Sequence, residues 1–168
     1  FKDAGEYAKR SIACLEKRPA AEEVLKQLSD ARVLLSTYFL NLNYPYKAKD
    51  AVEPVVQLAL DLGYQKGLPG IYTALGVYYT MVEEDIFKGK QCLHEVSEKA
   101  SETVGSLYLW FANYQVGAIF CHDYQFDESM TCLKTTLDLS VATNTLEGIS
   151  NSKAALAMNY YVQGDELE

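Results

Sequence analysis

The chain has 168 residues, of which 49% are apolar, and this is enough to build a continuous hydrophobic core. Its 23 acidic and 15 basic side chains give a formal charge of −8. That balance disfavours nucleic acid and anionic membrane surfaces, because Lys and Arg supply most of the affinity for phosphate groups.

No apolar run in the sequence approaches the ~20 residues that a membrane-spanning helix needs. The four cysteines form no CxxC pair, and no Asn-x-Ser/Thr glycosylation acceptor is present. We therefore expect a reduced, cytoplasmic protein that engages neither nucleic acid nor membrane.

The sequence predicts a chain of helices from one end to the other. In order, we expect helices at about 3–17, 20–43, 46–62, 69–82, 86–103, 105–122, 126–143 and 146–163. Gly63 and Gly164 suit positions just after helix ends, while Asp85 and Asp127 suit helix N-caps.

Two places depart from this regular pattern. Pro54 falls inside the third predicted helix, where it removes a backbone N–H, so we expect a bend there. The connecting segment Val82–Phe87 is one residue longer than its counterparts, so we expect that turn to bulge.

A repeat of 40 or 41 residues runs through the whole sequence. One marker reads apolar, small, two variable residues, aromatic, and its copies begin at Leu35, Leu75, Val116 and Leu156. A second marker is a small residue followed four positions later by an aliphatic one, and its copies begin at Ala8, Ala48, Gly89 and Ser129. On a helix, a small residue beside apolar neighbours lets another helix approach closely.

In period and residue types the chain resembles the tetratricopeptide family, in a form with a longer repeat than usual. The resemblance covers essentially the whole chain. It implies an all-α fold, a right-handed α–α superhelix of about four helix pairs, with residues 1–168 forming a single solenoid segment. One departure concerns the large residue that the family places three positions before the first marker, where this chain has Arg32, Tyr72, Asn113 and Lys153.

The repeat phase also bears on the two ends. Phe1 aligns one period before Asn41, in the last turn of a helix, and Glu168 stops where a further helix is due. We therefore expect the sequence to be a segment of a longer protein. The open apolar ends of such a stack predict a possible homodimer.

Little in the sequence predicts catalysis. Cys92 with His94, and Cys121 with His122, are near neighbours whose side chains point in different directions on a helix, so a tetrahedral metal shell would need several helices. No Gly-rich phosphate loop, GxSxG elbow or HExxH pair is present. We expect no enzymatic activity, no metal and no cofactor.

The resemblance instead implies binding of a protein or peptide partner in a concave groove lined by the first helix of each pair. The repeat phase then places these residues near the groove: Thr37, Leu40, Asn41, Thr73, Thr80, Met81, Tyr114, Cys121, His122, Met158 and Tyr161. The set contains no Lys or Arg, so capture of a chaperone's terminal carboxylate is not expected.

Two functional hypotheses follow. The runs Leu75–Tyr79 and Ser106–Asp127 look like helical regions of multidomain bacterial regulators. The first hypothesis is therefore a protein-interaction module that relays signals inside a larger signalling or transcriptional regulator. The alternative is a sensor domain that binds a short peptide or a small molecule in the groove.

Overall fold

The computed structural model describes residues 2–103 and 106–164, which form helices joined by short turns, with no β-strand among them. The all-α prediction is confirmed for these residues. The chain divides into two compact units, Phe1–Lys99 and Ala100–Glu168.

The first unit is built around α2, which packs most extensively against α3 and α1 and also contacts α5 and α4. The helices of this part of the chain are α1 (Lys2–Leu15), α2 (Glu22–Asn41), α3 (Pro45–Val52), α4 (Val56–Asp61), α5 (Leu68–Met81) and α6 (Ile86–Thr103), whose last residues pass the unit boundary. The α1–α3 core consists of Ala8, Ile12, Leu15, Ala31, Leu35 and Ala51.

Pro54 interrupts the third predicted helix, as expected. The chain leaves α3 at Val52, makes a 3-10 turn over Glu53–Val55 and resumes as α4 at Val56. Pro54 has no N–H to donate to the preceding turn, so the α-helical ladder breaks at this point.

The second unit contains α7 (Ser106–His122), α8 (Phe126–Ala142) and α9 (Leu146–Gln163). Here α8 packs against both of the other helices, and α7 also touches α9. Its buried residues include Trp110, Ala112, Ile119 and Leu133. Apart from the break at Pro54, helix bounds in both units lie within two residues of those predicted.

A residue in the left-handed backbone conformation recurs in several of the turns between helices. Asn43, Tyr124 and Asn144 take left-handed backbone conformations in three-residue turns. The turn between α5 and α6 has four residues, with Glu84 in that conformation, so the predicted bulge is confirmed. Gly63 also has a positive φ after a helix end, as its position in the sequence predicted.

The two predicted N-caps have different outcomes. The Asp85 carboxylate accepts a hydrogen bond from the Lys88 backbone N–H at 2.9 Å, so Asp85 does cap α6. The Asp127 prediction was wrong, because α8 already begins at Phe126 and Asp127 lies in its first turn. An acidic residue there still interacts favourably with the positive end of the helix dipole.

The residues of the two repeat markers lie where one helix packs against another. All four small residues of the second marker are buried, and the aliphatics that follow them are at most 8% exposed. A β-carbon on Gly76 would lie 2.6 Å from Leu93 Cγ in the first unit, and one on Gly117 would lie 2.7 Å from Leu133 Cγ in the second. The same small-against-leucine contact therefore recurs in both units.

Candidate functional site

A cavity of about 500 Å³ lies between α7 and α9 in the second unit. Its lining, which defines the α7–α9 groove, is Tyr114, Ala118, Cys121, His122, Tyr124, Leu133, Ala154, Ala155, Met158, Asn159 and Val162. The α7 members and the α9 members each recur at three- or four-residue spacing, which places each set on one helix face.

Small side chains leave space in this groove, and larger side chains form its walls. Ala118 faces it from α7, and Ala154 and Ala155 face it from α9, so the two helices leave space between them. Met158 and Tyr124 are 56% and 79% exposed, so both are accessible to an incoming molecule. A flexible thioether and an aromatic ring suit contact with apolar groups of varied shape.

Tyr124 reaches the groove from an unusual backbone conformation. It lies in the turn between α7 and α8 with φ at 57°, in the left-handed region. A bulky residue there is less favourable than Gly or Asn. Its ring lies 6.2 Å from the ring of Phe126 in an edge-on contact, so the following helix helps to orient it.

Asn159 is the most deeply buried polar residue of the lining, with no exposed surface. Its Nδ2 donates to Ser129 Oγ at 2.7 Å, and Ser129 Oγ donates to the backbone oxygen of Gly117 at 2.6 Å. The chain of hydrogen bonds runs from α9 through α8 to α7. It joins all three helices of the unit behind the groove.

The predicted groove residues of the second unit largely converge. Tyr114, Cys121, His122 and Met158 all line the α7–α9 groove. Tyr161 does not belong to the lining and is 75% exposed.

The predicted residues of the first unit lie on α2 and α5. Thr37, Thr73 and Thr80 each donate the side-chain hydroxyl to a backbone oxygen four residues earlier, to Val33, Pro69 and Gly76. Thr73 is only 2% exposed, so a partner could not touch it without rearrangement. Asn41 and Met81 are exposed, and Leu40 is half-buried.

Several lining residues were not predicted, and Asn159 is the most informative of them. Its equivalents in the earlier copies of the first marker are Tyr38, Tyr78 and Ile119. The change to an amide at a position that is aromatic or aliphatic in the other copies could have singled out Asn159 from the sequence alone. Ala118, Ala154 and Ala155 carried none, because alanine is common on any helix face.

The cysteines are free thiols. Burial raises the pKa of Cys92 and of Cys132, so both thiols stay protonated near neutral pH. Cys121 is the cysteine of the groove. Among residues 2–103 and 106–164, no three His, Cys, Asp or Glu side chains cluster as metal ligands would.

Comparison with protein-family models, curated proteins and solved structures finds no match to this chain. Within the described part of the chain, none of the helices combines the length and apolar character that crossing a bilayer requires.

Proposed function

We propose that this chain is a tetratricopeptide-like module that binds a short protein segment in the α7–α9 groove. The observation that carries the proposal is the groove itself, an accessible apolar cleft of about 500 Å³ on the first helices of two successive repeats. Family members bind partners on that helix face. In this proposal the helix pairs belong to a right-handed superhelix.

The repeat geometry supports this reading. The small-against-leucine contact occurs in both units at equivalent repeat positions, which fits pairs of helices built on one plan. The resemblance of Leu75–Tyr79 and Ser106–Asp127 to bacterial regulators supports a signal-relay role inside a larger protein. The four free thiols fit a cytoplasmic setting.

The character of the groove favours binding over catalysis. Its described lining contains no carboxylate, lysine or arginine, and His122 is its only imidazole. Apolar walls with a few polar groups hold a partner by contact area and hydrogen bonds. We therefore propose a non-enzymatic protein whose partner is a peptide rather than a nucleic acid, in keeping with the charge of −8.

A second candidate function is a small-molecule sensor. The cavity of about 500 Å³ falls within the ~300–1,000 Å³ that such sites usually have. The two functions predict different ligands for the same groove, so a binding assay with each class separates them.

The experiment is selection of peptides from a random phage-displayed library on the whole chain. A synthetic, fluorescein-labelled copy of an enriched peptide is then titrated by fluorescence anisotropy. Ala154→Trp places a large side chain in the groove from an exposed helix position, whereas Ala142→Trp makes the same change at an exposed α8 position outside the lining.

We expect Ala154→Trp to weaken peptide binding about tenfold or more, and Ala142→Trp to leave it unchanged. Equal binding by all three proteins, or no enrichment of any peptide, would contradict a peptide-binding groove. A small compound that raises the melting temperature of the native chain but not of Ala154→Trp would favour the sensor instead.

A further inference from the structure

We infer that the side of α9 turned away from the α7–α9 groove is an interaction surface, and that it binds helix α1 of a second copy of this chain, head to tail. This surface, the outer face of α9, consists of Ser150, Lys153, Ala157, Tyr160 and Tyr161. Their spacing of three or four residues, or one, places them on one side of the helix. None of the five belongs to the groove lining, so this contact goes beyond the proposed function.

The sequence of α9 is that of an interior helix, but little of α9 is buried. Residues 148–164 include no Asp or Glu and only one Lys, although 23 of the 168 residues of the chain are acidic. Apolar residues lie on every side of α9, a pattern typical of helices that are covered all round. Ten of the 14 residues of α5 are buried, whereas only three of the 18 residues of α9 are. The pattern therefore indicates that a further element covers α9.

Positions that are buried in the earlier copies of the repeat are open on α9. Ala157 is half-buried, and Ser150 is exposed. Their equivalents in the three earlier copies are all buried: Ser36, Gly76 and Gly117 for Ala157, and Ser29, Pro69 and Trp110 for Ser150. The outer face of α9 is thus a surface that the repeat covers wherever another helix follows.

The earlier copies also show what kind of helix covers this face. Leu93 of α6 packs against Gly76, and Leu133 of α8 packs against Gly117. Each leucine comes four residues after the small residue of the second marker. The helix that covers Ala157 should therefore carry the same marker, a small residue followed four positions later by an aliphatic one.

Helix α1 carries this marker, and it is open on one side. Its marker residues are Ala8 and Ile12, so Ile12 of a second copy takes the place of the leucines and packs against Ala157. A cavity of about 440 Å³ lies between α1 and α2, and Tyr7 and Leu34, which are 69% and 59% exposed, both line it. A single contact between two copies covers the outer face of α9 and this α1–α2 cavity together.

A second pair of positions meets across the same contact. In two earlier copies, the lysine just before the second marker lies over the aromatic ring of the first marker: Lys47 Nζ is 5.9 Å from the Phe39 ring centroid, and Lys88 Nζ is 3.7 Å from that of Tyr79. The equivalent positions are Tyr7 on α1 and Tyr160 on α9. Two tyrosine rings, which attract each other in tilted arrangements, therefore meet between the copies.

Sedimentation velocity of the whole chain, over about a hundredfold range of concentration, tests this contact. Ala157→Glu places a carboxylate on the outer face of α9, and Tyr7→Glu places one on the α1 side, where burial in the contact would strip its hydration. The matched controls are Ala142→Glu on α8 and Ala13→Glu on α1, both at exposed positions outside these two surfaces. Circular dichroism and thermal melting show that each variant is folded.

We expect the mass of the native chain and of both controls to rise with concentration, from one chain to two or more. Each face variant should stay a single chain, with the dissociation constant raised about tenfold or more. The two surfaces differ, so the contact is heterologous. An equal mixture of Ala157→Glu and Tyr7→Glu should therefore form a dimer with one copy of each, through the intact α9 face of one and the intact α1 of the other.

A native chain that stays single over the whole range overturns the inference. Association of the native chain together with a mixture that forms no dimer also overturns it, because that result is expected of a symmetric contact. Should Ala157→Glu fail to fold, Tyr161→Glu replaces it, at a position that is 75% exposed. Peptide binding in the α7–α9 groove is measured separately and stands or falls by its own assay.

Discussion

Gly117 of α7 packs directly against Leu133 of α8, and a β-carbon on the glycine would lie 2.7 Å from the leucine Cγ and 2.9 Å from its Cδ2. The leucine is 0% exposed, so a side chain added at Gly117 would crowd atoms inside the packed unit. The absence of a side chain at Gly117 sets how closely the two helices approach.

Replacing Gly117 with Leu should destabilise the protein by about 1–3 kcal/mol, since overpacking outweighs the ~1 kcal/mol that a helical glycine gains on substitution. Gly76→Leu should behave alike, because its β-carbon would lie 2.6 Å from Leu93 Cγ and 3.1 Å from the Gly89 oxygen. Urea unfolding measures both, with Ala142→Leu at an exposed helix position as the control. Unchanged midpoints in both glycine variants would contradict the assignment of the repeat phase.

Tyr114 and Tyr161 were both predicted to line the groove, but only one of them does. Tyr114 lines the groove, whereas Tyr161 lies outside the lining and is 75% exposed. We expect Tyr114→Ala to weaken binding of the selected peptide by ~1–2 kcal/mol, and Tyr161→Ala to leave it within error. Anisotropy titrations of both variants measure this. Equal losses would mean that the bound segment extends beyond the groove.

Tyr124 should show a trade-off between stability and binding. The backbone of Tyr124, with φ at 57°, is strained for a bulky residue, so Tyr124→Gly should raise the free energy of unfolding by up to ~1 kcal/mol. The loss of the ring contact with Phe126 should offset part of this gain. Tyr124→Gly also removes an exposed aromatic group from the groove, so it should weaken peptide binding.

Asn144→Gly is the matched control for Tyr124→Gly. It alters the equivalent left-handed position of the next turn, and Asn144 does not line the groove. Because Asn tolerates the left-handed conformation well, we expect Asn144→Gly to change the free energy of unfolding by only a few tenths of a kcal/mol and to leave peptide binding unchanged. If both variants bind the peptide as the native chain does, Tyr124 makes no contact with it.

The cysteines should differ in how fast an alkylating reagent labels them. Burial raises the pKa of Cys92 and Cys132 above the ordinary value of 9.0, and Glu128 adds to the effect at Cys132. Near pH 7–8, iodoacetamide should therefore label the exposed Cys14 first and these two slowly, as followed by peptide mass spectrometry. Labelling of Cys92 or Cys132 as fast as Cys14 would contradict this.

The same shifts predict a loss of stability in alkali. Unfolding returns Cys92 and Cys132 to their lower ordinary pKa, so the unfolded chain releases these protons first as the pH rises. The free energy of unfolding should then fall as the pH passes 9.0 and continue to fall up to the raised folded-state pKa values. Urea titrations of the native chain and of Cys92→Ala, which lacks one of the two groups, measure the contribution.

The residue pattern predicted the helices of this protein to within two residues, and it located the break at Pro54 and the longer turn before α6. These features are local. Helical periodicity, proline's missing N–H and turn length act over a few residues, so they can be read without knowing what packs nearby. The buried small residues from Ala8 to Ser129 were equally readable, because a repeat shows the same contact several times.

Only the tertiary structure decided which candidate residues meet at a site. Thr73 and Met158 were both placed near a groove by repeat phase, yet Thr73 is 2% exposed and Met158 is 56% exposed. The pairing of Asn159 with Ser129 spans 30 residues and depends on the distance and rotation of α9 against α8. Side-chain exposure and long-range hydrogen bonds are set by which helix faces cover one another, and that arrangement results from packing of the whole unit rather than from any local segment.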